Sequence, residues 1–222
     1  MDILKKADLG LKCGRYEQTL ELLFTYLEKQ ETIISSHLEL LEKSFRFVLA
    51  STRKGWRTLS QQAKESTNLP LLHTVYKSRV TKEIIAKCQR LINLIDIKVL
   101  PFLYEKREKV RAFKLIGDAY RYIAEVSTEE EHSKASEESL LAYQKVMEFS
   151  NYCVNELVFL RSLLNFSVFY YEILDNKIKA LEVAKQALNT INNAEYPVKE
   201  HGEVEQLAGI IKENMKLWVG SE

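Results

Sequence analysis

A chain that turns often needs glycine and proline, and this one has only 7 of the first and 3 of the second in 222 residues. A sandwich or barrel of short strands needs a turn signal roughly every 8–12 residues, and so few punctuating residues cannot supply that many turns. Leu, Glu, Lys and Ala recur from end to end, and these side chains lose little freedom in a helix. Apolar residues return at helical spacing rather than in alternation. The fold class is therefore all-α.

The period yields about nine helical segments, near 2–13, 16–30, 35–66, 71–100, 103–126, 133–151, 155–174, 177–194 and 201–219. Leu20, Leu22, Leu23, Tyr26 and Leu27 supply a wide apolar stripe in the second, and the third carries Leu38, Leu41, Phe45, Val48, Leu49, Trp56 and Leu59. Gly14 can take the positive φ that stops a helix, and Ser35 or Ser36 can cap the next long one. Pro70 and Pro101 bound the fourth segment, while Asn176, Asn192, Asn193 and Pro197 mark later breaks. Ser127 to His132 reads as a solvated loop and helix start rather than a site, its acids suiting the positive N-terminus of the helix that follows. No linker or shift of composition divides the chain, so one array over 1–222 is expected. The helices are unequal in length and show no repeat of about 34 residues, which argues against a tandem-repeat solenoid.

Composition excludes several functions. Basic and acidic residues nearly balance at 32 against 31, so no global field strong enough to hold nucleic acid is implied, and only a local patch could supply one. Cys13, Cys88 and Cys153 are few, scattered and odd in number, which suits a reducing compartment and small buried thiols. Residues 1–6 lack the apolar core of a signal peptide, and no apolar run approaches the roughly 18–20 residues of a membrane helix. A cytoplasmic protein without a membrane partner is expected. His37, His73, His132 and His201 lie far apart and read as surface residues, outside any zinc spacing. No Gly-rich phosphate loop or nucleophile elbow occurs. No metal, no cofactor, no catalytic residue and no enzymatic activity are expected.

Two segments carry a specific resemblance. Gly117-Asp118-Ala119-Tyr120-Arg121-Tyr122-Ile123-Ala124-Glu125-Val126 is similar to the G-D-Y-Y-R-Y-L-A-E-V stretch of 14-3-3 proteins. Leu164-Asn165-Phe166-Ser167-Val168-Phe169-Tyr170-Tyr171-Glu172-Ile173-Leu174 matches that family's L-N-F-S-V-F-Y-Y-E-I-L without a change. Glu213-Asn214-Met215-Lys216-Leu217-Trp218 resembles D-N-L-T-L-W, Gly14-Arg15-Tyr16-Glu17 resembles E-R-Y-D, and Arg53-Lys54-Gly55-Trp56-Arg57 resembles R-S-S-W-R. The likeness spans essentially the whole chain.

The resemblance implies a groove for phosphoserine or phosphothreonine motifs in client proteins. Its phosphate-binding positions fall on Arg46, Arg53, Arg121 and Tyr122. Arg46 and Arg53 are two turns apart and share a helix face. Arg forks match the three oxygens of a phosphate of about −1.5 to −2 charges. Asn165 and Asn214 fall where the family holds the peptide backbone, and Leu164, Val168, Leu207, Ile210, Leu217 and Trp218 where it has an apolar wall. Lys114 and Glu172 fall on polar groove positions. The chain departs from the family at Leu38 to Phe47, where R-N-L-L-S-V-A-Y-K-N is degraded. It departs again at Arg161, which stands where a small Gly is usual.

The resemblance also implies a homodimer built from the first two helices of one subunit and the third and fourth of the other. Its positions fall on Leu9, Cys13, Leu59 and Tyr76, framed by ion pairs. One of these can be rebuilt as Arg15 with Glu83; the other loses its acid to Gln18 opposite Arg79. Segments 1–66 and part of 71–100 would serve dimerisation, and 35–66 with 103–219 the groove. Two other readings stand beside the adaptor: a phosphorylation-independent helical scaffold, and a tetratricopeptide-like module that clamps a client's tail.

Overall fold

The computed structural model describes residues 3–30, 33–65 and 71–220. Every regular element among them is helical. In order these are α1 (Ile3–Lys12), α2 (Tyr16–Leu27), α3 (Ser35–Glu65), α4 (Leu71–Leu94), α5 (Lys106–Val126), α6 (Glu129–Met147), the single turn α7 (Ser150–Cys153), α8 (Leu157–Glu172), α9 (Lys177–Asn193) and α10 (His201–Gly220). The chain divides into two compact units, Met1–Phe102 and Leu103–Glu222.

In the first unit, α2 buries Leu20, Leu23, Phe24 and Leu27 against α3, which buries Leu38, Leu41, Phe45, Val48 and Leu49. Gly14 takes φ 70° between α1 and α2, and the Arg15 N–H donates to the Gly10 carbonyl at 2.8 Å. That is the left-handed stop anticipated at this glycine. Past Leu49, α3 fully buries nothing, and α4 fully buries nothing before Val80. These two half-helices are tied to each other by Trp56, whose indole N–H donates to Thr81 Oγ1 at 2.8 Å while Lys77 Nζ sits 5.0 Å from its ring centroid.

Helix α4 does not simply stop at Pro101. It loosens into a π-helical turn, Ile95–Val99, and tightens into a 3₁₀ turn, Leu100–Phe102. Proline has no N–H to donate and its ring crowds the carbonyl four residues back, so the ladder must change pitch there.

The second unit is built on α5 packed along α6, with α8 against α5 and α9, and α10 against α8 and α9. Gly117 makes the first pairing possible: a Cβ there would stand 3.0 Å from the Tyr143 ring of α6. Tyr143, Phe166, Phe169 and Tyr170 pack as a chain of aromatic rings 4.7–6.2 Å apart within a core that includes Val146, Leu163, Ala184 and Ile211. Asn176 caps α9, its side chain accepting from the Lys179 N–H at 3.0 Å.

Several expectations are corrected. The helix start falls early in the acidic run: Glu129, Glu130 and Glu131 form the first turn of α6, where the helix dipole rewards negative charge. The segment expected near 133–151 therefore starts earlier and ends at Met147, ahead of the separate turn α7. Ser35 lies inside α3 as its first residue, and His37 Nδ1 accepts from the Ile34 N–H at 3.3 Å. His37 is accordingly buried rather than at the surface, and Cys13, unlike Cys88 and Cys153, is exposed. The turn expected at Pro70 lies outside the described residues.

Candidate functional site

The polar centre of the second unit is a carboxylate on the inner face of α5. Asp118 is 4% exposed and accepts three hydrogen bonds from three helices. Lys114 Nζ of α5 donates to Oδ2 at 2.9 Å, while Tyr143 Oη of α6 and Asn165 Nδ2 of α8 donate to Oδ1 at 2.6 and 2.7 Å. Arg121 Nη2 lies 3.7 Å from the same Oδ1, and Arg121 Nε donates to Tyr143 Oη at 3.4 Å. Helical spacing explains the local part, because residues three and four apart share a face and so bring Lys114 and Arg121 to Asp118.

Burial alone would raise the Asp118 pKa. The positive charges of Lys114 and Arg121 and the hydrogen bonds from Tyr143 and Lys114 overturn that and hold it below the ordinary value of 3.8. Burial, then the charge of Asp118, pushes the Tyr143 phenol well up, so it remains a donor. Lys114, Asn165 and Arg121, drawn from two separate sequence segments, thus meet in one network. Tyr122 is buried beside it, its ring centroid 4.6 Å from the Arg121 guanidinium carbon.

The remaining positions that the sequence assigned to a groove lie on α8 and α10, which run parallel. Near their starts Arg161 Nη2 pairs with Glu203 Oε1, and near their ends the Tyr171 and Trp218 rings stack at 4.9 Å. Leu164 and Val168 are half-buried. Leu207 and Trp218 are buried, Leu207 packing with Leu160 and Val204. Ile210 and Leu217 are exposed, at 38% and 69%. Asn214 is half-buried and Glu172 exposed. The apolar positions therefore split: Leu207 and Trp218 serve the core, whereas Ile210 and Leu217 present apolar surface.

In the first unit Arg46 is exposed, with its guanidinium carbon 5.3 Å from the Phe47 ring centroid, and Phe47 stacks on Tyr16 of α2 at 4.4 Å. Arg53 is half-buried on the same helix. Leu9, Cys13, Arg15, Tyr76 and Arg79 are exposed, and Leu59 is half-buried. Glu83 is exposed and pairs within its own helix with Lys87 at 2.9 Å, which also reaches Glu17 of α2 at 3.1 Å.

Sequence reasoning did not single out Asp118, Tyr143 or Glu203 as functional. Asp118 was within reach, because its spacing from Lys114 and Arg121 puts all three on one face. Tyr143 and Glu203 had no local signal; their partners are distant in sequence and meet them only through packing.

Helices alone among the described residues, with a buried polar network inside the second unit, define the class: an all-helical protein. A family model described as "14-3-3 protein" matches residues 6–219. Similar proteins include 14-3-3 protein zeta of Bombyx mori, 31% identical over 98% of this chain and 91% of its own length. The 14-3-3-like protein G-BOX factor 14 lambda of Arabidopsis thaliana is 30% identical over 96% and 90%. The 14-3-3 protein 2 of Entamoeba histolytica is 28% identical over 98% and 94%. The chain belongs to the 14-3-3 family. Membership makes it a non-enzymatic scaffold with an adaptor role in signalling. Among the described residues no helix is long and apolar enough to cross a membrane, and no group of three or more His, Cys, Asp or Glu could hold a metal.

Proposed function

We propose that this chain is an adaptor for phosphoserine- or phosphothreonine-bearing client proteins, with Arg46, Arg53, Arg121 and Tyr122 as its phosphate-binding side chains. Lys114, Asn165 and Asn214 serve the peptide backbone and its polar groups, and Leu164, Val168, Ile210 and Leu217 its apolar side chains. The observation that carries this reading is the network on Asp118, which draws Lys114, Arg121 and Asn165 to one carboxylate. A guanidinium held this way keeps its direction before any ligand arrives, so less freedom is lost when a phosphate binds. The test is a titration of matched phosphorylated and unphosphorylated peptides. Charge-assisted hydrogen bonds contribute about 1.5–3 kcal/mol each. Arg53→Ala and Arg121→Ala should each weaken the phosphorylated peptide by roughly tenfold to a hundredfold. Wild-type affinity in both variants would sink the assignment.

A second reading, a phosphorylation-independent scaffold of the same fold, draws on the burial of Arg121, 5% exposed and turned toward Asp118 and Tyr143. In that case the two peptides bind alike.

Self-association belongs to the same proposal. The half-helices of α3 and α4 that bury no core of their own carry Leu59, Tyr76 and Arg79, and α1 exposes Leu9 and Cys13. Apolar side chains left in water on paired elements are the material of an interface, and a homodimer through them follows. Arg15 of one subunit would share Glu83 with Lys87, and a pair between the exposed Arg15 and Glu83 contributes about 0–1 kcal/mol.

A further inference from the structure

Two of the face-sharing series named for ligand binding begin at a single ion pair. On α8, Arg161 is followed at helical spacing by Leu164, Asn165, Val168 and Glu172; on α10, Glu203 is followed by Leu207, Ile210, Asn214 and Leu217. Arg161 Nη2 and Glu203 Oε1 are in direct contact, so the two series face each other at their N-terminal ends and are bridged there. The pair adjoins the small apolar cluster of Leu160, Val204 and Leu207. The Arg161 and Glu203 side chains are 31% and 39% exposed, open enough for a ligand to meet and covered enough to be held in place.

We propose that Arg161 and Glu203 form a bar across the N-terminal ends of α8 and α10 and determine which ligand side chain fits against them. Phosphopeptides with a small, uncharged residue at that point are selected. This rests on the phosphopeptide reading above. The physical reason is displacement. A bulky side chain can enter only by separating a charge-assisted hydrogen bond and leaving one ion without its partner. The intact pair carries no net charge and so rewards neither an acidic nor a basic residue. Each half alone does, with opposite sign, and that reversal separates reading of the ligand from mere tethering of α8 to α10.

The experiment is an array of phosphopeptides in which each position around the phosphoserine is Gly, Leu, Asp or Lys in turn, with unphosphorylated copies. It is probed with wild type, Arg161→Gly, Arg161→Ala and Glu203→Gln. Wild type should show one position where Leu binds about tenfold more weakly than Gly. Both Arg161 variants should lose that penalty and, with the Glu203 carboxylate left alone, prefer Lys to Asp there. Glu203→Gln, with the guanidinium left alone, should prefer Asp to Lys by about threefold to tenfold. The Ala variant guards against a result that reflects only glycine inside α8. Phosphate-dependent binding with one order of preference in all four proteins overturns the inference alone. A wild type indifferent to phosphate overturns the phosphopeptide reading and the inference with it.

Discussion

Removing the carboxylate at the centre of the second unit should cost far more than removing any surface charge. Asp118→Ala deletes the acceptor of Lys114, Tyr143 and Asn165 and the counter-ion of Arg121, in a site where the Lys114 and Asp118 side chains are each 6% exposed. Breaking a buried ion pair by deleting one partner costs about 3–5 kcal/mol, because the remaining charge is left uncompensated. The stranded Tyr143 and Asn165 donors act in the same direction, but they belong to one network, so their costs do not simply add. For a chain of this size each kcal/mol lowers Tm by about 2–4 °C, giving a drop of roughly 6–20 °C. The control is Arg90→Ala. Arg90 makes equally short contacts, 2.6 Å to Glu28 and 2.7 Å to Glu21, with side chains 33–49% exposed. Solvent screening limits such exposed pairs to about 0–1 kcal/mol each. The assay is thermal and urea denaturation at one fixed protein concentration, since any dimer makes stability depend on concentration. An Asp118→Ala protein no less stable than Arg90→Ala would refute the view that this network is a buried electrostatic unit.

Three further outcomes follow. The Tyr143→Phe variant loses one hydrogen bond to a charged acceptor, about 1.5–3 kcal/mol at neutral pH. The folded Asp118 pKa lies below its unfolded value, so the stability it contributes is whole above the ordinary carboxylate value of 3.8 and is lost as pH falls below it. Stability measured against pH should show the Tyr143→Phe penalty constant near neutrality and shrinking below about pH 4; a penalty that grows on acidification contradicts this. Gly117→Ala places a methyl 3.0 Å from the Tyr143 ring and should cost about 1–3 kcal/mol, whereas Gly209→Ala, with nothing within 4 Å, should gain about 0.5–1 kcal/mol from helix propensity alone. Equal effects at the two glycines would mean that α5 and α6 have slack between them. Sedimentation velocity should find a dimer weakened by Glu83→Arg and partly restored by adding Arg15→Glu. A species of 25.8 kDa alone in the wild type rules the dimer out, and normal dimerisation of Glu83→Arg moves the interface elsewhere.

Much of the architecture was legible in the chain itself because it is local. The apolar period of Leu38 to Leu49, the positive φ of Gly14 and the break at Asn176 each depend on neighbours within a turn or two. Helix geometry acts over that same distance. The residue at which α6 begins within the acidic run was not legible, because composition alone does not separate a solvated loop from a first turn; both favour acids. The family was legible for another reason. Two long segments in order carry far more information than any single spacing, and they point to the Arg121 and Asn165 positions together.

What only the tertiary structure decided are the partnerships. Arg161 carries the same charge whether it lies in solvent, meets a phosphate or pairs with Glu203, and only the packing of α10 beside α8 selects the last. Leu207 and Leu217 are both leucines of α10, about 80° apart around the helix, yet one is buried at 7% and the other exposed at 69%, because which of those directions is covered depends on which helix lies alongside. Asp118 reads as one more carboxylate until Tyr143 and Asn165 arrive from other helices. Periodicity determines which residues share a face, since that is a property of one helix. What each face meets is a property of several helices packed at once, and so it appears only in three dimensions.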